Sequence, residues 1–230
     1  MKEKRAEGKT VLILSGGTID EATALPEIEK IHADSIIAAD RGLLFCSRSG
    51  IMPDRIVGDF DSLEEACDTG PELLREYRKR GIPIDRFNPV KDTTDTEIAL
   101  EKALEEGATR ICLFGATGTR ADHTLSNLLN LVRLRDRGVT GVIIDSHNRV
   151  TMPAGTEMTI RRDSQYGNRI SLFPVRGEVT GLSISGVKYP KENAVLVQGD
   201  GGLFVSNEIL EDVCEIRWQS GALLVMETKD

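Results

Sequence analysis

Short, continuous apolar runs recur along the first 145 residues, and each of them stops at glycine or aspartate. Residues 11–14 close in Ser15-Gly16-Gly17, 35–39 in Asp40-Arg41-Gly42, 55–57 in Gly58-Asp59, 111–114 in Gly115, and 142–144 in Asp145. A strand with one wet face alternates apolar and polar residues, whereas one buried on both faces reads as an unbroken apolar run. Stretches of helical composition separate these runs. Residues 43–49 are stopped by Gly50, and 63–80 are broken near Gly70-Pro71 and ended by Gly81. A helix opens at Thr94, where Glu97 completes a capping box, and ends at Gly107. Another carries Leu125, Leu128, Leu129 and Val132 on one face and closes at Gly138. Residues 82–87 read as one more strand. Strand and helix in alternation predict an α/β fold: an N-terminal open, mostly parallel sheet with helices on both faces.

After Asn148 the pattern changes. Residues 156–161, 169–174, 181–185, 194–198, 203–206, 214–218 and 222–227 are short segments between Gly, Asn and Pro turns, several of them alternating. They predict a C-terminal all-β, sandwich-like domain. The expected domains are thus 1–147 and 148–230. The second is a small core, for which docking on the first domain or on a second subunit is expected.

In an open parallel sheet, ligands sit outside the carboxyl ends of the strands. Asp40, Asp59, Asp61, Asp92 and Asp122 all fall at or just beyond such ends. Asp59 and Asp61 are separated by one residue, and in an extended segment i and i+2 point to the same side. Two carboxylates so placed repel unless a cation lies between them, and a hard cation such as Mg2+ suits oxygen ligands. An acidic turn closed by its own hydrogen bonds is the plain alternative. Asp95 lies in the first turn of the helix capped by Thr94, where the dipole alone favours a carboxylate. Lys91 and Asp92 precede that cap and do not serve it. The segment 115–123, Gly-Ala-Thr-Gly-Thr-Arg-Ala-Asp-His, is a glycine-rich strand exit that opens a helix beside Arg120, a setting suited to an anion. Asp122 and His123 read either as helix-start residues or as members of that site. Neither Gly-x-Gly-x-x-Gly nor a Walker pattern occurs.

The formal net charge of -8 carries no electrostatic footprint for nucleic acid. A chain this acidic that binds a polyphosphate needs metal ions or a few placed Arg and Lys side chains. Cys46, Cys67, Cys112 and Cys214 are scattered without a Cys-x-x-Cys, which predicts free thiols of a reducing cytoplasm. The run 11–14 is too short for a signal peptide or a membrane span, so no membrane association is expected.

Taken together and in order, several short motifs resemble the thiamine pyrophosphokinase (thiamine diphosphokinase) family. They are Ala39-Asp40-Arg41-Gly42, Pro53-Asp54 with Gly58-Asp59-Phe60-Asp61-Ser62, and the segment 91–97 of sequence Lys-Asp-Thr-Thr-Asp-Thr-Glu. Gly118-Thr119-Arg120-Ala121-Asp122-His123, Gly186-Val187-Lys188-Tyr189-Pro190, Ser206-Asn207-Glu208 and Trp218 complete the set. Thr119 stands where glycine is usual and Val187 where leucine is. The resemblance implies a Mg2+-dependent enzyme that transfers the pyrophosphoryl group of ATP, its co-substrate, to the hydroxyl of thiamine, giving thiamine diphosphate and AMP. It also implies a cytoplasmic homodimer with active sites between subunits, 1–147 as the catalytic domain and 148–230 as the thiamine-binding and dimerisation domain. By position it assigns Asp59, Asp61 and Asp92 to metal and catalysis, with Asp122 catalytic and meeting thiamine. It places Asp40, Arg41, Lys91, Asp95, Arg120 and His123 around the nucleotide. Ser206, Asn207 and Trp218 are placed in the thiamine pocket, Trp218 from the opposite subunit. The rivals are another Mg2+-dependent phosphotransferase or phosphohydrolase on this fold, and a non-catalytic nucleotide or thiamine sensor.

Overall fold

The computed structural model describes residues 8–61, 63, 70–87, 93–199 and 204–230. The chain divides into two compact units, Met1–Asn127 and Leu128–Asp230. This division falls earlier than the change of sequence pattern at Asn148.

In the first unit, strands β1 (Lys9–Leu14), β2 (Ser35–Ala39), β3 (Arg55–Gly58), β4 (Ile84–Arg86) and β5 (Ala108–Phe114) lie in the order β5-β1-β2-β3-β4. Every pairing among them is parallel. Val11, Leu12, Ile13, Leu14, Ile37, Ile56 and Ile111 are almost wholly inaccessible, as continuous apolar runs demand. The helices are α1 (Glu21–Ile31), α2 (Gly42–Ser49), α3 (Gly70–Lys79) and α4 (Asp95–Glu105). A fifth, α5 (Ala121–Asp136), carries the division between the units.

Sequence reasoning passed over α1, because Pro26 interrupts its interior and only Ala24 in it is buried. Its start is nevertheless well marked: the Asp20 carboxylate accepts the backbone N–H of Thr23 at 3.0 Å. The capping box on α4 forms as read. Glu97 N–H donates to Thr94 Oγ1 at 3.2 Å, and Thr94 N–H donates to Glu97 Oε2 at 2.8 Å. Helix α3 starts at Gly70, and the stretch 64–69 expected to precede it lies outside the described residues.

Register explains why the strand exits meet. Leu14 pairs with Ala38 on one side and Phe114 on the other, and Ala39 pairs with Val57. The chain therefore leaves β1, β2, β3 and β5 at nearly one level. Strands β2, β3 and β4 build outward on one flank of β1, whereas β5 returns to its other flank. The exits of β1 and β5 thus diverge at a topological switch point, the usual seat of a ligand in such sheets.

The second unit is antiparallel. Strands β6 (Thr140–Ile144), β7 (Asn148–Met152), β9 (Arg169–Pro174), β12 (Asn207–Glu208) and β14 (Leu223–Thr228) follow the order β12-β9-β14-β7-β6. Strands β8 (Glu157–Arg161), β10 (Glu178–Ser185), β11 (Lys191–Val197) and β13 (Val213–Arg217) form a second sheet, β11-β10-β13-β8. Ile170, Leu172, Leu223 and Val225 of the first sheet share one core with Leu182, Ile184, Cys214 and Ile216 of the other. This is the expected sandwich-like arrangement.

One expectation is extended and one changes here. The run 142–144, expected as the last strand of the parallel half, has β7 as an antiparallel neighbour. The cause is a tight turn in which Asp145 Oδ1 accepts the N–H groups of His147 and Asn148 at 2.9 and 2.8 Å. Of the strand expected over 203–206, residue 203 lies outside the described residues, 204–206 form a turn and the strand begins at Asn207. Ser206 there takes φ 57, which a strand does not accommodate.

Candidate active site

A cleft of roughly 470 Å³ opens in the first unit at the switch point. Its walls are the exits of the strands. Gly16 and Gly17 follow β1, Asp40 and Arg41 follow β2, Asp59 follows β3, residues 115–120 follow β5, and residues 93–96 begin α4.

The two glycine turns are fastened together. Ser15 N–H donates to Phe114 O at 2.8 Å and Gly17 N–H to Gly115 O at 2.9 Å. A Cβ on Gly17 would come within 2.4 Å of Gly115 O and 2.6 Å of Thr117 O, so this approach of backbones requires glycine. Asn127 supports the β5 exit from α5, its Nδ2 donating to Ala116 O at 2.7 Å. Sequence reasoning missed Asn127. It lies in a run of leucines, and only its burial beside a glycine-rich loop marks it.

On the opposite wall, carboxylate oxygens of Asp40, Asp59 and Asp95 lie within 4.8 Å of one another. Asp40 is 9% exposed, and its Oδ1 has no hydrogen-bond partner among the described residues. Its backbone has φ 48, in the left-handed region, with its N–H donated to Val57 O at 2.9 Å. Burial, reinforced by the charges of Asp95 and Asp59, pushes the Asp40 carboxyl up to about 6. An orphaned buried oxygen beside two further carboxylates fits a hard divalent cation.

The described positive groups of the cleft are Arg41 and Arg120. The Arg41 guanidinium is anchored on Gly16 O through Nε at 3.2 Å and Nη2 at 2.8 Å. Arg120 pairs with Asp122, Nη2 to Oδ2 at 2.6 Å, and this hydrogen bond holds the exposed Asp122 carboxyl down at about 2. His123 lines the cleft and Asp122 does not.

Of the residues expected at the metal, Asp59 stands in the cluster, joined by Asp40 and Asp95. Asp61 is exposed and outside the cleft lining, its N–H donating to Asp59 Oδ1 at 3.2 Å. The rule that i and i+2 face one side fails because Phe60 between them has φ 68 and turns the chain. Lys91 and Asp92 lie outside the described residues. In the second unit, Asn207 spends its amide on the backbone of Tyr189. Ser206 is exposed, and its N–H donates to Ser171 Oγ at 3.0 Å. Trp218 is 4% exposed and belongs to the sandwich core.

Two family models match this sequence, the catalytic domain of thiamin pyrophosphokinase over residues 29–143 and its vitamin B1 binding domain over 156–223. The thiamine pyrophosphokinase of Bacillus subtilis (strain 168) is 30% identical over 222 residues, covering 96% of this chain and 100% of that protein. The chain belongs to the thiamine pyrophosphokinase family. The crystal structure of the Bacillus subtilis member superposes with a TM-score of 0.82, covering 96% of this chain and 100% of that one. The thiamin pyrophosphokinase of Geobacillus thermodenitrificans, 30% identical, gives 0.81 over 96% and 98% of the two chains. Within this thiamine pyrophosphokinase fold, the cleft residues from Ala39 to Asn127 fall inside the part matched by the catalytic-domain model, whereas Gly16, Gly17 and Thr18 precede it.

Proposed function

We propose that this chain transfers the pyrophosphoryl group of ATP to the hydroxyl of thiamine, releasing thiamine diphosphate and AMP. The observation that carries this reading is the convergence of Asp40, Asp59 and Asp95, with one buried oxygen unpaired, on a cleft at the switch point. In the reaction the thiamine oxygen attacks the β-phosphorus. The bond from that phosphorus to the oxygen bridging the α-phosphate breaks, and its electron pair leaves on AMP.

Asp40, Asp59 and Asp95 are the residues that would hold Mg2+. A bound divalent cation supplies the positive charge that offsets both the triphosphate and the three carboxylates. The chain's own residues position the reactants, which is most of what phosphoryl transfer asks of a protein. Arg41, pinned on Gly16 O, keeps a guanidinium fixed in the cleft, and Arg120 adds charge at the mouth of the second glycine turn. Asp122 serves to orient the thiamine hydroxyl. A loose phosphoryl transition state asks little of its nucleophile, so the hydroxyl proton leaves to solvent without a dedicated base.

The reading extends to a homodimer, supported by the exposed apolar pair Leu125 and Leu129 on α5 and by Val195 and Val197 on the edge strand β11. A cytoplasmic setting is supported by Cys46, Cys112 and Cys214, which are buried and in no disulfide. Among the described residues no helix is long and apolar enough to cross a membrane. The deciding experiment mixes the protein with ATP, Mg2+ and thiamine and identifies the products. AMP with thiamine diphosphate is expected, whereas ADP or free phosphate would replace this reading with the rival phosphotransferase or phosphohydrolase.

A further inference from the structure

Phe60 sits between a carboxylate that enters the cleft and one that leaves it. Asp59 is partly buried and lines the cleft, while Asp61 is exposed. Phe60 itself is 1% exposed, among the largest fully buried side chains, and holds φ 68. A bulky residue in the left-handed region is an outlier that persists only where its surroundings over-determine it. Those surroundings are visible. A Cβ built on Gly58 (φ 155) would lie 3.2 and 3.3 Å from Phe60 ring carbons and 3.4 Å from the Cα of Asp40. The ring is therefore packed under the end of β3, beside the backbone that carries Asp40. Arg86 covers it from β4, its Cζ 5.8 Å from the ring centroid, and Phe87 N–H fixes Gly58 O at 3.1 Å.

We infer that Phe60 is a positioning residue for the cation site: its buried ring forces the turn that aims Asp59 at Asp40 and Asp95. This inference rests on the metal reading proposed above. The ring touches no reactant and acts only through the direction of Asp59. An extended residue at 60 would continue the pleat and bring Asp61 to the side of Asp59. With the ring driven inward at positive φ, Asp61 turns outward and closes on Asp59 Oδ1 through its backbone N–H.

The test compares Phe60→Leu with Asp59→Asn and with Phe45→Leu, a truncation of another buried ring (2% exposed) on α2. Mn2+ binding to the nucleotide-free protein is followed by electron paramagnetic resonance, and thermal unfolding is recorded on the same samples. Supporting residues around metal ligands typically change affinity by about 10–100-fold. Phe60→Leu is expected to weaken Mn2+ binding by roughly ten-fold, near the loss in Asp59→Asn, while Phe45→Leu melts as early as Phe60→Leu but binds Mn2+ like the parent. Activity should follow, with a raised Mg2+ requirement at unchanged thiamine KM. If Asp59→Asn weakens binding and Phe60→Leu does not, the positioning role is overturned and the metal site stands. If the parent and Asp59→Asn bind Mn2+ equally, the metal site falls and the role of Phe60 falls with it. Should Phe60→Leu fail to fold, Phe60→Met keeps the apolar volume without the ring, and the same two outcomes decide.

Discussion

The side-chain amide of Asn207 grips the backbone of Tyr189 from both sides: Oδ1 accepts its N–H and Nδ2 donates to its carbonyl, each at 3.0 Å. Oδ1 also accepts the N–H of Glu208 at 2.9 Å. Oδ1 is thereby filled, while Nδ2 keeps a second hydrogen that a ligand can take. The clamp also holds the 186–190 loop, which carries the 60% exposed Tyr189. Asn207→Asp keeps the acceptor and removes the donor, whereas Asn207→Ala removes both. Each bond is worth about 1 kcal/mol at most in this exposed setting. Urea denaturation should rank the parent above Asn207→Asp and that above Asn207→Ala. Thiamine KM should rise in the same order with ATP KM unchanged. Equal stability in all three proteins would show that the clamp does not hold the loop.

Asp40 should destabilise the cation-free fold. Its folded-state value near 6 lies above the 3.8 of an unperturbed carboxyl, because burial and the neighbouring carboxylates disfavour the charge. The folded protein therefore holds this proton more tightly than the unfolded chain. The stability this group lends is fully present below 3.8 and is lost as pH rises through about 6. Asparagine tolerates the left-handed backbone at this position and carries no charge. In EDTA at pH 8, Asp40→Asn should be more stable than the parent by about 2–3 kcal/mol, at 1.36 kcal/mol per pKa unit, and the gap should close toward pH 4. Mg2+ should raise the melting temperature of the parent and leave the variant unmoved. A variant less stable than the parent at pH 8 would mean that Asp40 is satisfied without a cation.

Arg120 and Asp122 are paired, and both are largely exposed. If Arg120 serves the triphosphate and Asp122 the thiamine hydroxyl, the pair must open when both substrates bind. Asp122→Ala releases the guanidinium and should lower the ATP KM severalfold while raising that for thiamine. Arg120→Ala should do the reverse to ATP. Neither change should move the melting temperature appreciably, since an exposed ion pair contributes little to stability. Raising the salt concentration should shrink the difference between Asp122→Ala and the parent. An unchanged ATP KM in both variants would remove Arg120 from the nucleotide site.

The parallel half was legible because burial on both faces leaves an unbroken apolar run; its strand exits singled out Asp40, Asp59 and the 115–123 loop, while Arg41 and Asp95 were placed by the resemblance. Asp40, Arg41, Asp59, Asp95, Arg120 and His123 all reach the cleft or its mouth. What failed is what depends on one backbone angle or on packing from a distance. The i, i+2 rule put Asp61 beside Asp59, and a single positive φ at Phe60 undid it. The helix dipole alone accounts for Asp95 in the sequence, and the fold adds that its carboxylate lies within 4.8 Å of those of Asp40 and Asp59. Strand β6 reads like its parallel neighbours because burial is all that its side chains encode. Its direction of pairing is set by the four-residue turn from Asp145 to Asn148. Trp218 reads by default as a core or interface residue, and it lies in the sandwich core; its place in the thiamine pocket comes from the resemblance alone.

Trp218 anchors the sandwich and should report on folding rather than on ligand. It is the only tryptophan in the sequence, 4% exposed, and packed with Leu223, Leu182 and the rest of that core. Its Nε1–H donates to Gly221 O at 3.2 Å, and the same carbonyl accepts Arg135 Nη2 at 2.9 Å. Trp218→Ala deletes most of a buried ring system and should cost about 3–5 kcal/mol. Trp218→Phe retains a ring and leaves Gly221 O still bonded to Arg135, so its cost should stay nearer 1–2 kcal/mol. Emission from the folded protein should be blue-shifted and move to the red on unfolding. Saturating thiamine should neither shift nor quench it while the residue stays 4% exposed, because stacking a cationic ring needs an accessible indole. Strong quenching by thiamine, in the dimer as isolated, would return Trp218 to the substrate pocket.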